Sequence, residues 1–221
     1  MNRLIAIAAA ALVLAGGMFY LQSGSQPTLP SLGMAEAQAA GDVDTSMVQE
    51  MALGAEDAPL TVIEYASFTC PHCKNFHTGA FKELKANYID TGKVRFIYRE
   101  VYFDRFGLWA GMVARCGGEE KYFGISDMIY AQQAEWTAGE SPAAIAGNLA
   151  KIGRTAGLPG EQVDACLQDA AKAQALVAVF EENSARDGIR STPSFLIDGE
   201  LQTGNMDYET FAALLDAKLG E

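Results

Sequence analysis

An α/β fold interrupted by an all-helical insertion is what this sequence predicts, on three observations. An apolar run at residues 60–68 leads through a helix-period segment into a second strand-like run at 93–98. Residues 106–188 then carry helical patterning with no strand signal, and the chain closes on a hairpin signature followed by one last helix.

The elements follow in chain order. Leu60–Phe68 is apolar on both faces, as in a strand buried between layers of helices. Glu64 interrupts it, and a carboxylate there is costly to bury unless it is neutral or paired, for instance with a lysine or arginine. Phe76, Ala80, Phe81, Leu84 and Tyr88 recur at helical spacing, with Lys74, Lys82, Glu83 and Lys85 on other faces. Lys93–Tyr98 reads as the next strand, and a strand–helix–strand crossover implies a parallel pair. Within the insertion, Ser141-Pro142 supplies a cap and first-turn proline, Leu158-Pro159-Gly160-Glu161 opens another helix, and 170–185 forms a third before Gly188. Ser194–Ile197, Asp198-Gly199 and Glu200–Gln202 spell a hairpin with an Asp-Gly turn, and 206–219 is the terminal helix. Together these elements predict a thioredoxin-like fold built from 45–105 and 189–221, with 106–188 inserted. Trp109, Trp136, Phe123, Tyr122 and Tyr130 form an aromatic band in the insertion, read mostly as core.

Length and composition set the outer limits. With 221 residues and 49% hydrophobic composition the chain can bury a real core. A formal charge of −12 argues against a nucleic-acid partner, which needs a basic face. Residues 1–21 hold one early positive charge, Arg3, and then an apolar stretch, the pattern of a bacterial-type export segment. Two readings stay open: a signal peptide cleaved near Ala15-Gly16-Gly17, or an uncleaved membrane anchor of nearly spanning length. Residues 22–44 read as a flexible tether rich in Ser, Gly, Pro, Ala and Gln. Either reading of the N-terminus places the domain outside the cytoplasm, where disulfides persist.

The chemistry concentrates in Cys70-Pro71-His72-Cys73, at the point where the first strand gives way to its helix. Pro71 suits the first helical position. Cys70 then falls at the N-cap, with its sulfur near unpaired N–H groups and the positive end of the helix dipole. Those groups favour a thiolate, and a protonated His72 would add charge. Such Cys-X-X-Cys thiols titrate at roughly 3.5–7.5, against about 8.5 for a free cysteine. A structural zinc site is the competing reading, because His77 lies four residues after Cys73. Its closed tetrahedron would need a fourth ligand from Cys116, Cys166 or His72, and no second Cys-X-X-Cys exists, so no metal is expected.

Glu64 six residues before Cys70, the Cys70-Pro71-His72-Cys73 motif, and Thr192-Pro193 ahead of a strand resemble the DsbA family of periplasmic thiol-disulfide oxidoreductases over about residues 50–219. The resemblance implies that Cys70 is the exposed nucleophile and Cys73 the buried resolving thiol, with Pro71 and His72 tuning their redox preference. It implies that Glu64 is a buried acid passing a proton to or from Cys73, and that Pro193 is a cis-proline facing the dithiol. The Thr192 backbone would then pair with an extended substrate peptide. Threonine at 192 departs from the best-known oxidases, which have valine, and matches related isomerases. With Cys70 paired to Cys73, a second structural bridge between Cys116 and Cys166 is the expectation in an oxidising compartment, the alternative being two buried thiols.

The resulting expectation is a monomeric periplasmic oxidase without cofactors that transfers the Cys70–Cys73 disulfide to reduced, cysteine-containing exported proteins. A quinone-linked membrane reoxidase of the DsbB type would restore it. The alternatives are a disulfide isomerase or reductase, and a non-catalytic thiol-based chaperone or zinc module. Known isomerases of this type add an N-terminal dimerisation domain, for which residues 45–59 leave no room.

Overall fold

Two neighbouring strands, β2 (Leu60–Ala66) and β3 (Val94–Glu100), run parallel at the centre of a five-stranded sheet ordered β1-β3-β2-β4-β5. The computed structural model describes residues 43–220. The readings of 1–21 as export segment and of most of 22–44 as tether lie outside the described residues. The parallel pair carries Glu64 opposite Tyr98 and Val62 opposite Phe96. Both strands are buried along most of their length, which accounts for their near-continuous apolar sequence. On the other side of β2, antiparallel β4 (Ser194–Ile197) places Phe195 beside Glu64, and β5 (Glu200–Thr203) forms the edge. The hairpin between them turns through Asp198 at φ 50° and Gly199 at φ 79°, the left-handed pair that a tight two-residue turn demands.

The crossover from β2 to β3 departs from the single helix expected. It begins as α1 (Pro71–Thr78), breaks at Gly79 (φ −120°, ψ −107°), and continues as α2 (Ala80–Leu84) and a π-helical turn, Lys85–Ile89. The helical spacing survives the break because the chain resumes its turn at once, leaving Phe76, Phe81, Leu84 and Tyr88 all buried. A further difference is β1 (Met51–Leu53), which pairs antiparallel with β3. Three residues carry too little alternation to register as a strand before the pairing is known.

The insertion is helical throughout: α3 (Arg105–Arg115), α4 (Glu119–Ala131), α5 (Gln133–Thr137), α6 (Pro142–Thr155), α7 (Gly160–Gln168) and α8 (Ala170–Arg186). α3 is its hub and packs against α4, α6, α7 and α8. Local signals start several of these helices. Asp104 Oδ1 accepts from the N–H groups of Phe106 (2.8 Å) and Gly107 (2.9 Å), and Ser141 Oγ accepts from Ala144 N–H at 3.2 Å ahead of Pro142. Trp136, Tyr122 and Tyr130 are fully buried, while Trp109 and Phe123 pack against the core from its margin.

A charged bolt fastens insertion to sheet. Arg115 grips Glu100 at the end of β3 through two hydrogen bonds of 2.7 and 2.6 Å, and Tyr122 donates to the same carboxylate at 2.8 Å. Both charged groups are nearly inaccessible, so removing one partner would cost about 3–5 kcal/mol. The last helix, α9 (Tyr208–Leu219), returns to the sheet, where Phe211 meets Phe195 at 4.9 Å and Phe76 at 5.7 Å between ring centroids. That aromatic cluster fixes α1 against β4, the two elements that carry the dithiol and its neighbouring proline.

Candidate active site

Cys70 occupies the N-cap of α1 in extended conformation (φ −79°, ψ 121°), with Pro71 at the first helical position. Its N–H donates to Ser67 O at 3.0 Å, and its carbonyl accepts the first helical bond from Lys74 N–H at 3.1 Å. Cys70 is half-buried, Cys73 one turn on is wholly buried, and both are free thiols. The two sulfurs therefore share one helix start but differ in solvent access.

Their ionisation differs in the same sense. A hydrogen bond from the Cys73 thiol is the largest influence on Cys70, and it lowers the Cys70 pKa to about 5 against an opposing effect of burial. The Thr192 side chain and the backbone N–H groups of Cys73 and His72 add to the lowering. Cys73 is driven far above the ordinary thiol range, first by burial, then by its bond to Cys70 and by the charge of Glu64. At neutral pH this is one thiolate beside one thiol. His72 acts through its backbone; its imidazole is exposed.

Residues distant in sequence close around the pair. The Thr192–Pro193 peptide is cis, and it brings Thr192 O within 3.4 Å of Cys70 Sγ, which donates to it when protonated. Gln133, buried at the start of α5, donates through Nε2 to Phe68 O at 2.7 Å and to Cys70 O at 3.0 Å. Thr69 Oγ1 donates to Asp104 Oδ2 at 2.8 Å, so the cap of α3 also holds the residue just before Cys70. Sequence reading missed Gln133 and Asp104, which lie 63 and 34 positions from Cys70 and carry no motif.

Beneath the dithiol, Glu64 is fully buried and bonds through Oε2 to His77 Nε2 at 2.8 Å. The partner is thus a histidine of α1, not the lysine or arginine considered above. His77 stacks on Tyr130 with centroids 4.4 Å apart and an interplanar angle of 11°. Tyr130 and Tyr98 share a 2.6 Å hydrogen bond, and both are held well above the usual phenol range, chiefly by burial. Among the described residues, no group of three or more His, Cys, Asp or Glu is placed to hold a metal ion. Cys116 and Cys166, far along the insertion, are joined in a disulfide.

The thioredoxin family model described as "Thioredoxin" matches residues 46–217. The chain belongs to the thioredoxin family. A Rickettsia bellii protein that carries the name of a protein-disulfide oxidoreductase is 34% identical over 173 residues, which are 78% of this chain and 65% of that one. The chain thus spans a little under two thirds of this relative's length. Among solved structures, Wolbachia pipientis alpha-DsbA1 superposes with a TM-score of 0.71 at 28% identity, covering 78% of this chain and 92% of the other. A protein-disulfide isomerase from Novosphingobium aromaticivorans gives 0.70 at 26% identity, covering 78% and 98%. Both solved structures thus share the overall fold of this chain. Among the described residues, no helix is long and apolar enough to cross a membrane.

Proposed function

We propose that the chain is a protein-disulfide oxidase acting on reduced, exported proteins outside the cytoplasm. The observation that carries this reading is the asymmetry of the dithiol, with Cys70 ionised near pH 5 and Cys73 held as a thiol. A substrate thiolate attacks Cys70 Sγ in the Cys70–Cys73 disulfide. The S–S bond breaks, a mixed disulfide forms at Cys70, and the Cys73 sulfur leaves with the electron pair and takes up a proton. A second substrate thiolate attacks the substrate sulfur of the mixed disulfide and expels Cys70 as a thiolate. The substrate is oxidised by two electrons and the protein reduced by two.

A thiolate stabilised at Cys70 is a good leaving group, and a stabilised reduced form makes the oxidised form a stronger oxidant. Thr192 and cis-Pro193 offer backbone beside Cys70, where an extended peptide would add as a strand. Glu64, close enough to Cys73 for its charge to oppose the thiolate, is suited to exchange the Cys73 proton. Export rests on residues 1–21 and on a disulfide in the insertion, and reoxidation calls for a membrane-bound, quinone-linked acceptor. The isomerase reading keeps support from Thr192 and from the Novosphingobium likeness.

Titrating the Cys70–Cys73 couple in glutathione buffers decides between them. A potential near about −120 mV is the expected result for an oxidase, about −180 mV would move the protein to the isomerases, and about −270 mV would make it a reductase.

A further inference from the structure

His77 is a buried titratable group that the exchange steps above leave unused. Its place is unusual: Nε2 bonds Glu64 Oε2 at 2.8 Å, and the side chain is only 2% exposed. The other oxygen of that carboxylate, Oε1, is buried and has no hydrogen-bond partner among the described residues. His77 also lines a cleft of about 380 Å³ that opens to solvent between α1, α2 and α4, with Lys82, Asp127 and Met128 along its walls. Lys82 and Asp127 pair across it at 2.6 Å and are both exposed.

We propose that His77 is a positioning residue that turns Glu64 into a proton exchanger for Cys73, carrying the proton between the buried carboxylate and the solvent cleft between α1 and α4. This rests on the oxidoreductase reading above and adds the route its protons take. Cys73 has no water path of its own, being wholly buried. When Cys73 leaves as a thiolate it must gain one proton, and when it attacks a mixed disulfide at Cys70 it must lose one. Oε2 is occupied by His77, so Oε1 is the oxygen free to meet the Cys73 proton. An imidazole bonded at one nitrogen can take a proton at one side while giving one up at the other, and so can reload Glu64 without moving it.

The surroundings exclude other carriers. Around His77 stand Glu64 from β2, Tyr98 from β3, Tyr130 from α4, Cys73 from its own helix, and the Lys82–Asp127 pair at the cleft. Tyr98 and Tyr130 are neutral throughout the working range, since burial holds both well above the usual phenol value. Phe76 and Phe81 close the remaining sides with apolar rings. Among the described residues around His77, the titratable chain from Cys73 to the cleft runs through Glu64 and then His77.

The test isolates the Cys73 proton. Reduced protein is converted to its mixed disulfide between Cys70 and glutathione, and release of glutathione by Cys73 is timed from pH 5 to 9. In that step Cys73 Sγ bonds to Cys70 Sγ, glutathione departs with the electron pair, and one proton leaves Cys73. His77→Gln, which keeps a hydrogen bond to Glu64 but carries no proton, should slow release at pH 7 on the order of 10²-fold. Its rate should climb about tenfold per pH unit as hydroxide takes over, while Cys70 alkylation stays unchanged. His77→Gly should regain speed in proportion to added free-base imidazole entering through the cleft. If His77→Gln fails to fold, Glu64→Gln/His77→Gln, an amide pair of similar shape, takes its place with the same expected profile. A parent-like rate and pH profile in whichever variant folds overturns the proposal. A parent protein that forms no mixed disulfide at Cys70 would instead overturn the oxidoreductase reading itself.

Discussion

Cys70 opens a helix, whereas Cys116 closes one. Cys70 is the N-cap of α1, facing free N–H groups; Cys116 is the C-cap of α3, and Cys166 sits in the last turn of α7, both among free carbonyls. A helix dipole favours negative charge at its start and opposes it at its end. A sulfur expelled as thiolate is therefore stabilised in the first pair and not in the second. Gln162 Nε2 even occupies the Cys116 carbonyl at 2.7 Å, sealing the helix end. Loop size differs in the same direction. The dithiol closes a loop of three residues, too small to constrain the unfolded chain much, while Cys116–Cys166 spans 50 and is worth about 4 kcal/mol in the chain-entropy model. Under the proposed function, one pair exchanges and the other persists.

Swapping the two pairs' fates is the largest way to break that contrast. Cys70→Ser should abolish oxidation of a reduced peptide, while at pH 5, where the thiolate contributes least, its melting temperature should stay close to that of the reduced parent. The double variant Cys116→Ala/Cys166→Ala should keep the oxidation rate within about twofold, yet melt roughly 8–16 °C lower, at about 2–4 °C per kcal/mol for a domain of this size. Thermal unfolding and peptide oxidation on both variants would check it. A loss of activity in the double variant with its fold intact would show that the insertion disulfide takes part in exchange.

The acid limb sharpens the contrast with a smaller effect. Iodoacetamide should alkylate Cys70 with a midpoint near pH 5, the value its surroundings impose. The folded value lies below the ordinary thiol value of 9.0, so the charge on Cys70 stabilises the reduced fold. That stabilisation is complete above about pH 9 and is lost as pH falls through about 5. Reduced protein should therefore lose melting temperature between pH 8 and pH 5 relative to Cys70→Ser, and parallel curves for the two would sink the assignment.

How much of this could be read from the sequence follows the distance over which each interaction acts. The dithiol, its proline and its N-cap position are contiguous, so helix-start physics alone exposes them. Glu64 is visible as a misfit in an apolar strand. His77 stood out too, one turn after Cys73, but its partner was hidden because Glu64 reaches it only once α1 lies on β2. Gln133 and Asp104 were invisible for the same reason, since their bonds to the Cys70 loop depend on how the insertion docks. In the fold, long periodic segments were legible, and β1 was not, since its three residues are defined by pairing with β3. Gly79 marks the limit of periodicity as a guide: the apolar stripe continued across it while the helix did not.

The smallest effect separates two neighbours of Cys70, only one of which the sequence reading gave a part in tuning the thiolate. His72 was expected to tune the thiolate by its charge, yet it lowers the Cys70 pKa through its backbone N–H, and the residue is exposed. A backbone donor survives His72→Ala, so that variant should leave the alkylation midpoint almost where it is. Thr192 acts through its side chain, which Thr192→Val removes, so this midpoint should rise and the protein should become less oxidising. Both shifts are read from the same alkylation titration. A larger rise in His72→Ala than in Thr192→Val would mean that the imidazole charge reaches the sulfur across solvent, and that the tuning of Cys70 lies in the motif itself and not in the loop that faces it.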